Sequence, residues 1–108
     1  MKRIILSFFL SGVFHCMVFA DVLIDVRSRE EYDAGHIEGA LSVEYSVIQD
    51  HIGGIAKNKS EKIYLYCRSG RRSGIALQTL KSMGYTDVVN LGGFSEAREA
   101  WRKIKPGD

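Results

Sequence analysis

The chain has 108 residues, of which 45% are hydrophobic and 26% charged, with a formal net charge of +2. That is enough chain for one small domain of ordinary globular composition. So small a charge, with no basic stripe interleaved with aromatics, excludes an electrostatic nucleic-acid surface. There is no internal repeat or low-complexity segment, and the single proline, Pro106, falls in the tail.

The first twenty residues read as a separate unit. Met1-Lys2-Arg3 is a positive n-region, Ile4 to Met17 is mostly apolar, and Val18-Phe19-Ala20 supplies small residues at the −3 and −1 positions of a cleavage site. The pattern is that of a secretory signal cleaved after Ala20, leaving residues 21–108 as an exported, periplasmic domain. An uncleaved anchor is disfavoured because the apolar run contains Ser11, Gly12 and His15 and falls short of the roughly 20 residues a bilayer needs. Cys16 does not mark a lipoprotein, since bulky His15 precedes it. Cleavage removes Lys2 and Arg3, so the basic count falls from 15 to 13 against 13 acidic residues. It also removes Cys16 and leaves Cys67 as the sole cysteine, unpaired in an oxidising compartment.

The mature chain alternates strand and helix. Val22-Leu23-Ile24 is apolar without alternation, as in a strand covered on both faces, and Asp25 and Arg27 close it. Ser28-Arg29-Glu30-Glu31 has the capping-box spacing and opens a short helix that Gly35 ends. Leu41-Ser42-Val43 is a short strand. Ser46-Val47-Ile48-Gln49 repeats the capping-box form, and the helix it starts has Val47, Ile48 and Ile52 on its apolar face, with Ile55 a further candidate, and is expected to break at Gly53-Gly54. Lys57 to Lys62 is a polar loop, in which the short glycosylation pattern Asn58-Lys59-Ser60 is discounted for a bacterial export system. Ile63 to Tyr66 is a central strand ending at Cys67. A helix follows from Ser73 to Met83, with Ile75, Ala76, Leu80 and Met83 inward and Gly84 after it. Val88 to Leu91 is a further strand, and a last helix from about Ser95 to Ile104 turns Ala97, Trp101 and Ile104 inward. Short links between alternating elements imply an α/β fold with a mainly parallel central sheet of four to five strands and helices on both faces. Ligands of such sheets bind outside the carboxyl ends of the strands. Three loops should meet there: Asp25-Arg27, the loop after Cys67, and Gly92-Gly93.

Cys67-Arg68-Ser69-Gly70-Arg71-Arg72-Ser73 carries the chemistry. A cysteine between a strand's end and a helix N-terminus faces converging N–H groups and the positive end of a dipole, which favours the thiolate nucleophile. Gly70 permits a tight bend with positive φ. Arg68, Arg71 and Arg72 add positive charge. A phosphatase loop, Cys-x5-Arg, would place arginine where Ser73 stands; Arg72 comes one residue early. The tighter loop suits a sulfur-centred anion or a single sulfur atom better than a phosphate ester. A thioredoxin-type pair is absent, because there is no Cys-x-x-Cys.

This loop resembles the Cys-x-x-Gly-x-Arg-Ser active-site loop of single-domain rhodaneses. Ile24-Asp25-Val26-Arg27, Glu30-Glu31-Tyr32 and Gly35-His36-Ile37-Glu38-Gly39-Ala40 resemble that family's first motif, and Asn90-Leu91-Gly92-Gly93-Phe94 its last. The resemblance covers the whole mature chain and is nearest to the exported form. It implies a thiosulfate sulfurtransferase that passes sulfur through a Cys67 persulfide to a thiophilic acceptor such as cyanide, without metal or organic cofactor. It makes Cys67 the sulfur carrier and the amides of residues 68 to 72 the cradle, with Ser69 and Gly70 inside it. Arg72 falls on the motif's arginine, which either faces the anion or pairs with Asp25; pairing is favoured, because a buried strand-end aspartate needs a cation. Arg68 and Arg71 are then the better candidates for attracting substrate, and Asp25 and Arg27 give structural support. The rival reading is a non-enzymatic persulfide carrier serving a partner protein. Neither a nucleic-acid partner nor a lasting membrane anchor is expected, and the oligomeric state is open.

Overall fold

The computed structural model describes residues 21–105; the signal segment expected over residues 1–20 lies outside them. Four strands, β1 (Val22–Asp25), β2 (Leu41–Ser42), β3 (Ile63–Tyr66) and β4 (Val88–Asn90), form one sheet in the order β2-β1-β3-β4, with every pairing parallel. Four helices connect and cover them: α1 (Arg29–Ala34), α2 (Ile48–Ile55), α3 (Arg71–Ser82) and α4 (Phe94–Ile104).

Side chains of successive strand residues alternate between faces, and the core divides accordingly. Ile24, Ile63 and Leu65 pack with Ile48 and Ile52 of α2 and Ala76 and Leu80 of α3. Leu23, Tyr64 and Tyr66 pack on the other face with Ala97 of α4, while Tyr32 of α1 and Trp101 lie against them. All four residues of β3 are buried. The strand that ends at Cys67 is thus held on both faces and along both edges.

Local departures from the sequence pattern have physical causes. Ser46 and Gln49 make no capping box: a 3-10 turn, Tyr45–Val47, leads into α2, and Gln49 Nε2 donates to the Ser46 carbonyl instead. Helix α2 also runs through Gly53 and Gly54 to Ile55. Each glycine costs a helix about 1 kcal/mol. Ile48 and Ile52, one turn apart and fully buried, each return roughly 1.5–3 kcal/mol. Val47 lies outside the helix and is exposed. Helix α3 starts at Arg71, two residues before the expected Ser73. Its inward stripe is Ser73, Ala76 and Leu80, the spacing of one helical face, which turns Ile75 outward to 44% exposure.

Candidate active site

Cys67 is the first residue beyond β3 and is fully buried. Its N–H donates to the Gly92 carbonyl (3.1 Å), tying the start of the loop to the turn after β4. The chain reverses at Gly70, where φ is +99° and a Cβ would stand 3.3 Å from the Gly92 Cα. Both the left-handed backbone and the close approach call for glycine. The reversal points amides back at the sulfur. Gly70 N–H donates to Cys67 Sγ at 3.0 Å, and the Ser73 N–H and hydroxyl oxygen lie 3.4 Å away.

Burial pushes the Cys67 thiol up, the largest single influence. Against it act the Ser73 hydroxyl and the N–H groups of Ser73, Gly70 and Ser69, and together they prevail, so the thiol sits below its ordinary value. Dipoles fixed by the fold, more than any paired cation, favour the thiolate. The amide ring extends to Ser73, one residue past the segment expected to form it.

The three arginines of the loop have different positions. Arg72 does not pair with Asp25. Its Nη1 and Nη2 donate to Glu31 Oε1 and Oε2 at 2.9 and 3.2 Å. Asp25 already has its cation two residues away: Arg27 Nε and Nη2 grip its carboxylate at 2.9 and 2.7 Å, and the Tyr66 hydroxyl donates to Asp25 Oδ2 at 2.7 Å. Arg68 is mostly exposed and places Nε 3.4 Å from Glu31 Oε2. Arg71 is exposed and joins no ion pair among the described residues.

Glu31, given only a capping role by its spacing from Ser28 and a place in the first motif, therefore has two jobs. Its carboxylate accepts from the Ser28 N–H at 3.0 Å, closing the capping box on α1, and it also binds Arg72 of α3. Arg72 is the main reason the Glu31 carboxyl is held down to about 2. Asn90, the first residue of the last motif, is the other residue to which the sequence assigns no role of its own. Its Nδ2 donates to the Gly70 carbonyl at 3.1 Å; its Oδ1 accepts from the Gly92 N–H at 2.9 Å and the Ser73 hydroxyl at 2.7 Å. The sequence signal is its place in that motif, at the end of a strand beside Gly92-Gly93.

The three expected loops converge. A cavity of about 570 Å³ at the carboxyl edge of the sheet is lined by Arg27, by Arg68 and Ser69, and by Gly93 to Glu96. Arg27 Nη2 also donates to the Gly35 carbonyl, and its guanidinium stacks over Phe94 at 4.7 Å from the ring centroid. Both contacts hold one wall of the cavity. No group of His, Cys, Asp and Glu among the described residues is placed to hold a metal.

A buried thiolate at a strand's end, ringed by amides and followed by a helix, can attack a soft electrophile and hold the anion that results. The Rhodanese-like domain model matches residues 16–100. The chain belongs to the rhodanese family. It is 38% identical over 97 residues to the thiosulfate sulfurtransferase PspE of Escherichia coli K12, spanning 89% of this chain and 91% of that protein. It is 36% identical over 88 residues to the thiosulfate sulfurtransferase GlpE of Pseudomonas fluorescens SBW25, spanning 81% of this chain and 75% of that protein. Among solved structures, a rhodanese with anions from E. coli superposes with a TM-score of 0.69 at 36% identity, covering 71% of this chain and 91% of that one. In this rhodanese the four-stranded parallel sheet is the family's scaffold, and Cys67 stands at the carboxyl end of its fully buried strand.

Proposed function

We propose that the protein is a thiosulfate sulfurtransferase that carries sulfane sulfur on Cys67 to a thiophilic acceptor such as cyanide. The observation that supports this most directly is the ring of donors on Cys67 Sγ, from Gly70 at 3.0 Å and Ser73 at 3.4 Å. Such donors stabilise negative charge on a sulfur held at that position. The thiolate attacks the outer sulfur of thiosulfate; the S–S bond breaks, and sulfite leaves with the electron pair. The product is Cys67–S–S⁻, whose charge faces the amides of Ser69 and Gly70 and the exposed Arg68 and Arg71. Cyanide then attacks the terminal sulfur, thiocyanate leaves, and the thiolate returns. Arg72, committed to Glu31, shapes the loop, while Asp25 and Arg27 fix the strand end and one wall of the cavity.

The same reading makes residues 1–20 a signal peptide cleaved after Ala20 and places the domain in the periplasm. The run of charge, apolar residues and small −3 and −1 side chains supports it. No described helix is long and apolar enough to cross a membrane.

Incubation with thiosulfate and cyanide tests the activity. Steady thiocyanate production is expected, and Cys67→Ser should reduce it to the uncatalysed background. A single stoichiometric load of sulfur without turnover would instead make the protein a persulfide carrier for a partner. An intact mass spectrum checks both the added sulfur on Cys67 and an N-terminus at Asp21.

A further inference from the structure

Ser73 has one hydroxyl proton and two acceptors within reach. Asn90 Oδ1 lies 2.7 Å from its oxygen and Cys67 Sγ 3.4 Å. A hydroxyl donates to one acceptor at a time. The Asn90 amide cannot turn to suit, because both ends are held: Nδ2 donates to the Gly70 carbonyl, and Oδ1 takes the Gly92 N–H. Oδ1 must therefore face Ser73 as an acceptor. At 2.7 Å, the ordinary length for O–H···O, the Ser73 hydroxyl donates to Asn90 Oδ1, and rotation about one bond would aim it at the sulfur.

We propose that Asn90 is a positioning residue that gives the Ser73 hydroxyl a second acceptor, so that this proton follows the charge on Cys67 Sγ through the reaction. The proposal deepens the sulfurtransferase reading and rests on it for the persulfide half of the cycle. In the free thiolate the negative charge sits on Sγ, and the hydroxyl can donate to it. Once sulfur is loaded, Sγ becomes a neutral divalent atom and the charge moves to the outer sulfur. The buried hydroxyl then loses its charged acceptor, and a buried donor left unpaired is destabilising. Asn90 Oδ1 accepts it, and no bond to a heavy atom changes. With an alternative acceptor in both states, neither form is trapped by a stranded polar group.

The sign is what distinguishes this role from loop support. Asn90 competes with the thiolate for the proton. In Asn90→Ala the hydroxyl has only sulfur to donate to, so the pH midpoint of iodoacetamide alkylation at Cys67 should fall by roughly half a unit. Asn90→Asp keeps the volume and strengthens the acceptor at the loss of the Nδ2 donor to the Gly70 carbonyl, a loss common to both Ser73 backgrounds, so the midpoint should rise. Ser73→Ala removes the proton at issue: in that background the Ala effect should vanish and the Asp effect shrink to that of its charge alone. The fraction of Cys67 loaded at a fixed thiosulfate to sulfite ratio should fall several-fold in Asn90→Ala and be insensitive to Asn90 once Ser73 is alanine. A midpoint that rises in Asn90→Ala, or one that moves equally with and without the Ser73 hydroxyl, would overturn the proposal and leave Asn90 as a loop brace. Should the alanine variant not fold, the Asp variant read in both backgrounds decides alone. Alkylation uses no sulfur donor, so its outcome stands whether or not thiosulfate is the substrate.

Discussion

Two arginine–carboxylate pairs flank the Cys67 loop and differ in depth. Asp25–Arg27 lies at the end of β1, with side chains 0% and 7% exposed, and is completed by the Tyr66 hydroxyl and the Gly35 carbonyl. Glu31–Arg72 bridges α1 and α3 with both side chains about a fifth exposed, at 22% and 23%. The inner pair joins residues two apart and locks the strand end that supports the loop. The outer pair joins residues 41 apart and holds the start of the helix whose N–H groups face the sulfur. Neither guanidinium donates a hydrogen bond to Cys67 Sγ. The donors that hold the sulfur anion are backbone amides and one hydroxyl, while the flanking charges hold the backbone in place.

Breaking the inner pair should have the larger effect. Asp25→Asn leaves the Arg27 cation buried with only neutral partners, and loss of one member of a buried pair costs about 3–5 kcal/mol. That is a large part of the 5–15 kcal/mol available to a typical domain. The urea midpoint should fall accordingly, while the alkylation midpoint of Cys67 in the molecules that remain folded should change little. An unchanged urea curve would remove the distinction between the pairs.

Glu31→Gln should cost less, on the order of 1 kcal/mol, because the outer pair is partly solvated. Its signature is the pH dependence. The Glu31 carboxyl is lowered from 4.5 to about 2 in the folded state, chiefly by its hydrogen bonds from Arg72. A lowered acid contributes its stability fully above the unfolded value of 4.5 and loses it as the pH falls toward 2. The wild-type protein should therefore lose stability over that window more steeply than Glu31→Gln. Parallel acid titrations by circular dichroism would show that the pair contributes nothing.

The smallest expected effect is at Arg71, exposed and outside both pairs. Arg71→Glu should raise the KM for thiosulfate about threefold at low salt, with the difference shrinking as ionic strength rises. A salt-independent change would point to the loop's shape rather than its charge.

What was legible in the sequence was local. Ser28 and Glu31 sit three residues apart and cap α1 as their spacing implied. Gly70 adopts the positive φ that a tight reversal needs. The alternation of strand and helix led to the parallel sheet. What was not legible depended on tertiary context. Glu31 meets Arg72 across 41 residues, and no spacing rule links them. The expectation that Asp25 would take Arg72 as its partner failed because Arg27 was near enough to saturate it first. Gly53 and Gly54 carried the local signal of a break, yet the burial of Ile48 and Ile52 overrode it. Ser73 was expected to open the helix; it is instead an inward residue in the first turn of a helix that starts at Arg71, and that inward turn is what brings it to the sulfur.

The pairing of β1 has a kinetic consequence. With β2, its neighbour in sequence, β1 shares a register of two residue pairs; with β3 it shares four. The partner that makes β1 an interior strand thus begins some forty residues downstream, at Ile63. A chain emerging from its N-terminus cannot assemble this sheet until Tyr66 is available, and Cys67 is the next residue to appear. The thiol therefore remains an ordinary one during synthesis. It acquires its nucleophilic character only when the long-range closure is made, so maturation of the thiol and completion of the fold are the same event.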